Sequence, residues 1–306
     1  MRELTSGNRL DQYEITEVLR RGAMSDLFKA IEVDSGLAVV LKVPKEELEG
    51  DLVFYERFLR EGKIGRLLDH PGIVRFLTPR EQSRLYHVME YVPGDSLRAL
   101  LGSGWRVPAE QALAIGCQLC GVLSYLHERG VVHRDLKPEN VILVPPAGTV
   151  KLVDFGIAFL ESARRLTWPG LSQVFGTPDY MAPEQIRGRR GDPSTDVYAL
   201  GTMLFELITG RLPFEAENAA ALLHAKVHDD PTPVRVHAPE VSEDLCAVVE
   251  RALAREPRDR YASAADLLFD LTDPGRRATR SKAVIGPGGL AWLRRWRRRA
   301  LSPFAP

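Results

Sequence analysis

Between His133 and Asn140 the chain reads His133-Arg134-Asp135-Leu136-Lys137-Pro138-Glu139-Asn140. A carboxylate, an ammonium and an amide are thus crowded into one short loop that turns at Lys137-Pro138. A second acid, Asp154 of Asp154-Phe155-Gly156, follows fourteen residues after Asn140, and Ala182-Pro183-Glu184 comes further on. Any one of these motifs reads as solvated loop charge. Their fixed order requires a scaffold that places them for a common purpose. An amide oxygen and a carboxylate suit a hard divalent cation that keeps other oxygens as ligands.

In order and interval the three motifs resemble the signature set of the protein kinases. The resemblance runs from about Leu10 to Leu271 and is to the eukaryotic-like Ser/Thr kinases of bacteria. It implies an α+β, bilobal fold. A small antiparallel β lobe with one helix is expected over residues 11–92, and a larger, mainly helical lobe over 93–273. It further implies an ATP-dependent kinase that transfers the γ-phosphate to Ser/Thr hydroxyls of proteins, its own included, with Mg2+ or alternatively Mn2+. Asp135 would accept the proton of the attacking hydroxyl, Lys137 would neutralise charge on the γ-phosphate, and Asn140 and Asp154 would hold the metal. A pseudokinase that binds partners without catalysis is the alternative on the same fold. A small-molecule phosphotransferase is opposed by the complete segment from Asp154 to Glu184, which builds a peptide-docking surface in the kinases it resembles.

The upstream half must supply the nucleotide site. Val39-Val40-Leu41-Lys42 is apolar and β-branched, hence a buried strand. Its lysine needs a counter-charge, and Glu61 is the candidate. Apolar residues at 54, 58, 64 and 68 give the Glu61 segment helical spacing, and Asp51 can cap its start. By resemblance, Lys42 pairs with the α- and β-phosphates while Glu61 holds it. Leu19-Arg20-Arg21-Gly22-Ala23-Met24-Ser25-Asp26-Leu27 stands where the family has its glycine-rich loop. Only the middle glycine, Gly22, is kept, and Arg20 or Arg21 could bring charge to the phosphates. The adenine is expected where the lobes connect. By resemblance, Met89 would stand behind it, the Glu90 carbonyl and Val92 N–H would bond its edge, and Val40 and Ile142 would belong to the same site. Asp95 is a candidate ribose partner or, as the preferred reading, the cap of the next helix.

Other residues are expected to support these. By resemblance, Asp196 would brace the backbone at His133 and Arg134, and Glu184 would pair with Arg260, both standing at sites the family buries, where a charge needs a partner. Val141–Val153 reads as a hairpin turning at Pro145, Pro146 and Gly148, and 197–207 as a buried helix. Thr177 would bond Asp135 and Lys137 and shape the acceptor site. In the kinases the chain resembles, an arginine placed like Arg134 often goes with control by a phosphate on the segment 157–181; here Ser172 is the first candidate and Thr167 the second. The alternative is a segment ordered by Trp168 and Phe175 without phosphate.

Composition adds limits. No run of 18 apolar residues exists, and Met1-Arg2-Glu3-Leu4 lacks the apolar core of a secretion signal, so a cytoplasmic location is expected. Cys117 and Cys120 form a C-x-x-C within helical apolar spacing and read as buried structural cysteines. The net charge of zero hides an asymmetry: residues 274–306 carry nine Lys/Arg and no acid, leaving −9 for the remainder. Trp292 and Trp296 share a helical face inside the basic stretch 290–299. This tail is either solvated and disordered or an amphipathic helix for an anionic membrane surface or an acidic partner, with nucleic acid a weaker option.

Overall fold

The computed structural model describes residues 4–48, 50–102, 107–146, 148–155, 159–160 and 178–272. The chain divides into two compact units, Met1–Leu97 with Glu139–Phe175, and Arg98–Pro138 with Gly176–Pro306. The first is built on strands and the second on helices, as the α+β reading expects.

In the first unit, β1 (Arg9–Leu10), β2 (Tyr13–Arg21), β3 (Ser25–Glu32), β4 (Ala38–Pro44), β5 (Phe76–Leu77) and β6 (His87–Glu90) form one antiparallel sheet. Their order is β1-β2-β3-β4-β6-β5. The strands alternate, and the inward row of Tyr13, Ile15, Phe28, Ala30, Val39, Leu41, Val43 and Val88 makes the core. Burying each large apolar side chain of this row stabilises the unit by roughly 1.5–3 kcal/mol. The β2–β3 turn falls at Gly22, where a Cβ would lie 2.4 Å from the Ser25 carbonyl oxygen. This is why glycine persists there although the flanking glycines of the pattern are gone.

Helix α1 (Leu52–Leu67) starts where expected: Asp51 accepts the N–H of Val53 at 2.8 Å and of Phe54 at 3.0 Å. Its inner face carries Phe54, Phe58, Glu61 and Ile64 together with two glycines. A Cβ on Gly62 would meet the His87 ring at 2.4 Å and one on Gly65 the Phe76 ring at 2.3 Å. The helix therefore lies on two rings from the sheet, and His87 also stacks on Phe58 with centroids 4.0 Å apart.

Strand β7 (Asp95–Ser96) holds Asp95, so that residue is not the helix cap read from the sequence; Ser96 separates it from α2 (Leu97–Gly102). β8 (Val131–Val132) precedes the 133–140 loop in the second unit. The expected hairpin is β9 (Val141–Val144) and β10 (Thr149–Leu152), with β9 also pairing β7. Val74 N–H to the Leu152 carbonyl (2.9 Å) and Leu152 N–H to the Gly72 carbonyl (2.8 Å) tie the hairpin to the body of its unit.

The second unit is centred on α5 (Pro193–Thr209), buried from Ser194 to Thr209. It is preceded by α3 (Ala109–His127) and α4 (Pro183–Ile186), and followed by α6 (Ala219–His228), α7 (Val234–His237), α8 (Glu243–Ala252) and α9 (Ala264–Thr272). Asp192 caps α5 through the Ser194 N–H at 2.8 Å, and Gly210 ends it at φ 71°. Cys117 and Cys120 are buried in α3 as free thiols, and burial pushes Cys117 up to about 12 and raises Cys120 as well. Such thiols are inert rather than redox-active. No helix among the described residues is long and apolar enough to cross a membrane. Thr167, Trp168, Ser172, Phe175, Thr177 and the basic stretch from 274 to 306 lie outside the described residues.

Candidate active site

The strand unit gathers three of the expected charges. Lys42 projects from β4, Glu61 from α1, and Asp154 from the end of the β9–β10 hairpin. Lys42 Nζ donates to Glu61 Oε1 at 2.6 Å and to Asp154 Oδ1 at 2.8 Å. Burial alone would lower the lysine, but the carboxylates of Asp154 and Glu61 outweigh it and hold the ammonium above the usual lysine range. Burial pushes the Glu61 carboxyl upward, with Lys42 opposing. Removing one partner of such a buried pair costs roughly 3–5 kcal/mol unless another charge takes its place. Asp154 is that other charge.

Asn140 is buried, and its carbonyl accepts the Val153 N–H at 2.8 Å, which sets it one residue from Asp154 along the hydrogen-bonded chain. Asp154 has φ 73° and Arg134 φ 67°, the left-handed region that a side chain disfavours. Two of the three non-glycine residues in that region among the described ones therefore belong to the motifs singled out from the sequence. Strain of this kind persists where surrounding contacts over-determine the backbone.

Along the rest of the expected nucleotide site, Met89 and Val92 are buried, Val40 and Ile142 are half-buried, and Val40 is paired with Met89 across β4–β6. The Glu90 carboxylate accepts the Arg75 N–H at 3.0 Å and pairs with Lys151, whose Nζ also donates to the Ile73 carbonyl at 3.1 Å. This link between β6 and the hairpin was not foreseen.

The glycine-poor loop is organised by an acid. Asp26 is buried and accepts from Arg21 Nη1 (2.7 Å), Lys45 Nζ (2.9 Å) and the Gly22 N–H (3.2 Å). Burial would raise its carboxyl, but Lys45 and Arg21 outweigh that and hold it below the usual range. Arg21 also donates to the Leu4 carbonyl at 2.6 Å. Its guanidinium therefore braces the turn. Leu19, Arg20 and Ala23 are exposed, while Met24, Ser25 and Leu27 are half-buried.

In the helical unit, Asp135 Oδ2 and Lys137 Nζ are 2.7 Å apart, and the Asp135 N–H donates to His133 Nδ1 at 3.3 Å. The loop is braced as expected: Asp196 accepts the backbone N–H of His133 at 2.8 Å and of Arg134 at 2.7 Å. His127 Nε2, which the sequence did not flag, is 2.9 Å from the same carboxylate. Burial would raise Asp196, but its hydrogen bonds and the nearby histidines hold it below the usual range. Gln185 Nε2 donates to the Arg134 carbonyl at 3.1 Å and Arg134 Nη2 to the Gly191 carbonyl at 3.1 Å. The Arg134 guanidinium is pushed down to about 10 by burial and by Arg190. Glu184 and Arg260 form the expected buried pair through two contacts of 2.7 and 2.9 Å. Arg98, Tyr180 and Glu206 form a second network, with Arg98 Nη1 2.7 Å from Glu206 Oε1. Only register and helix phase bring those residues together, so spacing could not reveal them.

Hard oxygen donors, a buried lysine held by two acids and a carboxylate paired with a lysine are the equipment for handling phosphates and a hydroxyl. No cluster of three or more metal-ligating side chains occurs among the described residues.

Comparison with known proteins agrees. The protein kinase domain family matches residues 13–269. The serine/threonine-protein kinase PknB of Mycobacterium leprae is 37% identical over 266 residues, covering 85% of this chain and 42% of that protein. A probable serine/threonine-protein kinase of Streptomyces coelicolor, SCO3848, is 37% identical over 265 residues, covering 85% and 39%. The crystal structure of the Mycobacterium tuberculosis PknI kinase domain superposes with a TM-score of 0.69 at 27% identity, covering 89% of this chain and 99% of that one. The chain thus spans about two fifths of the length of the curated relatives it matches.

Proposed function

The chain belongs to the protein kinase family, as a catalytic domain of the eukaryotic-like serine/threonine type, and from that premise we propose that it transfers the γ-phosphate of ATP to Ser and Thr hydroxyls of proteins. The observation that carries this reading is the network in which Lys42 reaches Glu61 at 2.6 Å and Asp154 at 2.8 Å. A buried lysine so held is a fixed cation for the α- and β-phosphates, and it is the element that a nucleotide-free scaffold has no need to keep.

Each residue then has a task. Met89, Val40, Val92 and Ile142 give apolar surface for adenine, and the Glu90 carbonyl and Val92 N–H bond its edge. The 19–27 turn, held by Asp26, covers the phosphates. Asn140 and Asp154 hold Mg2+, which neutralises phosphate charge when bound. Asp135 accepts the hydroxyl proton and aims its oxygen, while Lys137, 2.7 Å from that carboxylate, offsets charge growing on the transferred group. Asp196 supports this by fixing the loop backbone. The reaction's setting is cytoplasmic, and the basic stretch 290–299 touches an anionic membrane surface or an acidic partner. Equal sedimentation of the chain with neutral and phosphatidylserine vesicles would remove the membrane reading.

The function is tested with radiolabelled ATP, Mg2+ and myelin basic protein or casein. Label is expected in substrate or in the chain itself, and none above background with Asp135→Asn. Label near the wild-type level in purified, folded Asp135→Asn would falsify the assignment.

A further inference from the structure

Lys226 takes part in none of these steps, yet it is 1% exposed. Lysine is almost never buried without a specific partner. Elsewhere in this molecule buried charge meets opposite charge: Lys42 with Glu61 and Asp154, Arg260 with Glu184, Asp26 with Arg21 and Lys45. Lys226 instead meets backbone. Its Nζ donates to the carbonyls of Pro178, at 3.2 Å, and of Asp179. It also lies 5.3 Å from the centroid of the Tyr198 ring, which carries Arg260 at 4.7 Å as well.

The position of those two carbonyls is what matters. Pro178 and Asp179 directly follow Thr177 and begin the run to Glu184. Further along, that run is pinned at Tyr180 by Glu206 and Arg98 and at Glu184 by Arg260. Lys226, from α6, pins the end nearest the acceptor.

We propose that Lys226 is a positioning residue for the protein substrate: by holding the Pro178 and Asp179 carbonyls it fixes the backbone against which a Ser- or Thr-bearing peptide docks. The proposal rests on the kinase reading above. Without the lysine, the Asp179 carbonyl loses the ammonium and the Pro178 carbonyl is left to the Met181 N–H at 3.2 Å, a cost carried by this turn rather than by the nucleotide site.

Lys226→Met keeps length and apolar stem and removes the donors. Its KM for myelin basic protein is expected to rise about tenfold, a loss of ground-state and transition-state binding alike, with KM for ATP within about twofold of wild type. Unchanged KM for both, or an equal rise in both, would overturn the proposal. Amide exchange decides the matter even in a chain that transfers no phosphate, a result that would end the kinase reading alone. At residues 179–182, Lys226→Met is expected to exchange about tenfold faster than wild type, with α3 and α5 unchanged. Equal exchange at 179–182 would overturn the role of Lys226.

Should Lys226→Met not fold, the wild type answers through pH. Burial pushes the ammonium down to about 7, against the charge of Asp179. Arg260 with its Glu184 shares the Tyr198 ring with it, and its own helix carries the titratable His224 and His228. The closed turn thus binds fewer protons than an opened one above pH 7, so it tightens as pH rises. Protection at 179–182, corrected for intrinsic exchange, should gain roughly tenfold from pH 6 to pH 8. Protection that stays flat or falls over that range would overturn the proposal.

Discussion

The two units hold their functional charges in different ways. In the strand unit, Lys42, Glu61 and Asp154 come from three separate elements, and the side chains that would touch ligand also hold one another. In the helical unit, Asp135 and Lys137 sit in one short loop whose backbone is fixed by Asp196 at His133 and Arg134. The first arrangement ties ligand binding to the seat of α1. The second separates support from chemistry. Mutation should therefore affect binding and scaffold together in the strand unit, and separately in the helical unit.

The largest expected effect tests that separation directly. Lys42→Met and Asp135→Asn should each lower phosphotransfer by about a thousandfold or more. Only Lys42→Met should also weaken binding of a fluorescent ATP analogue, because Asp135 acts on the hydroxyl. Loss of analogue binding in both variants would erase the distinction between the units.

Stability gives the next effect. Glu184→Gln removes the charge that faces Arg260 inside the helical unit and should cost about 3 kcal/mol in urea unfolding. Glu61→Gln leaves Lys42 with Asp154 at 2.8 Å, so its stability cost should be clearly smaller. Its kcat/KM should nevertheless fall by about 100-fold, since the lysine loses its register on the phosphates. Equal stability losses would mean that Asp154 does not take over the lysine.

The seat of α1 can be tested through pH. His87 lies under Gly62, stacks on Phe58, and has Nε2 2.8 Å from the Phe58 carbonyl. Burial, the largest influence, pushes it down to about 4 from an ordinary 6.5. The unfolded chain then binds more protons than the folded one between those values. The resulting stability is complete above pH 6.5 and is lost as pH falls toward 4, by about 3 kcal/mol. Urea melts from pH 7 to 4 should show this slope in the wild type and lose it in His87→Phe. An unchanged slope in His87→Phe would assign the acid sensitivity to another group.

What the sequence revealed follows the same division. The loop 133–140, the Asp51 cap and the 141–152 hairpin are local, and local spacing carries them. The Lys42–Glu61 and Glu184–Arg260 pairs were legible because burial of one charge demands another, and the family resemblance named the partner. Features that depend on three-dimensional register stayed hidden. Gly62 and Gly65 look like weak points of a helix until His87 and Phe76 are seen filling the space. Lys226 reads as one more helical lysine until α6 is packed. Asp26 reads as a loop residue from sequence alone, and only the β2–β3–β4 register brings Arg21 and Lys45 to it. Asp95 carries a cap signal that the two-residue strand holding it is too short to oppose in the sequence pattern.

The smallest expected effect concerns that acid-held turn, the one place where the strand unit follows the helical unit's plan. If Asp26 fixes the turn as Asp196 fixes the 133–140 loop, the missing outer glycines matter little. Arg20→Gly with Ser25→Gly restores the family pattern but leaves Asp26, Arg21 and Lys45 in place, so KM for ATP should move by less than about threefold. Asp26→Asn keeps the shape and removes the charge. Its three contacts loosen, and KM for ATP should rise by about three- to tenfold. The stability cost should stay below about 1 kcal/mol, because Arg21 and Lys45 are half-exposed and water takes over their solvation. A KM that responds to the glycines and not to Asp26 would mean that backbone freedom, not the carboxylate, sets the turn over the phosphates. A KM unchanged in both variants would mean that residues 19–27 do not cover the nucleotide at all.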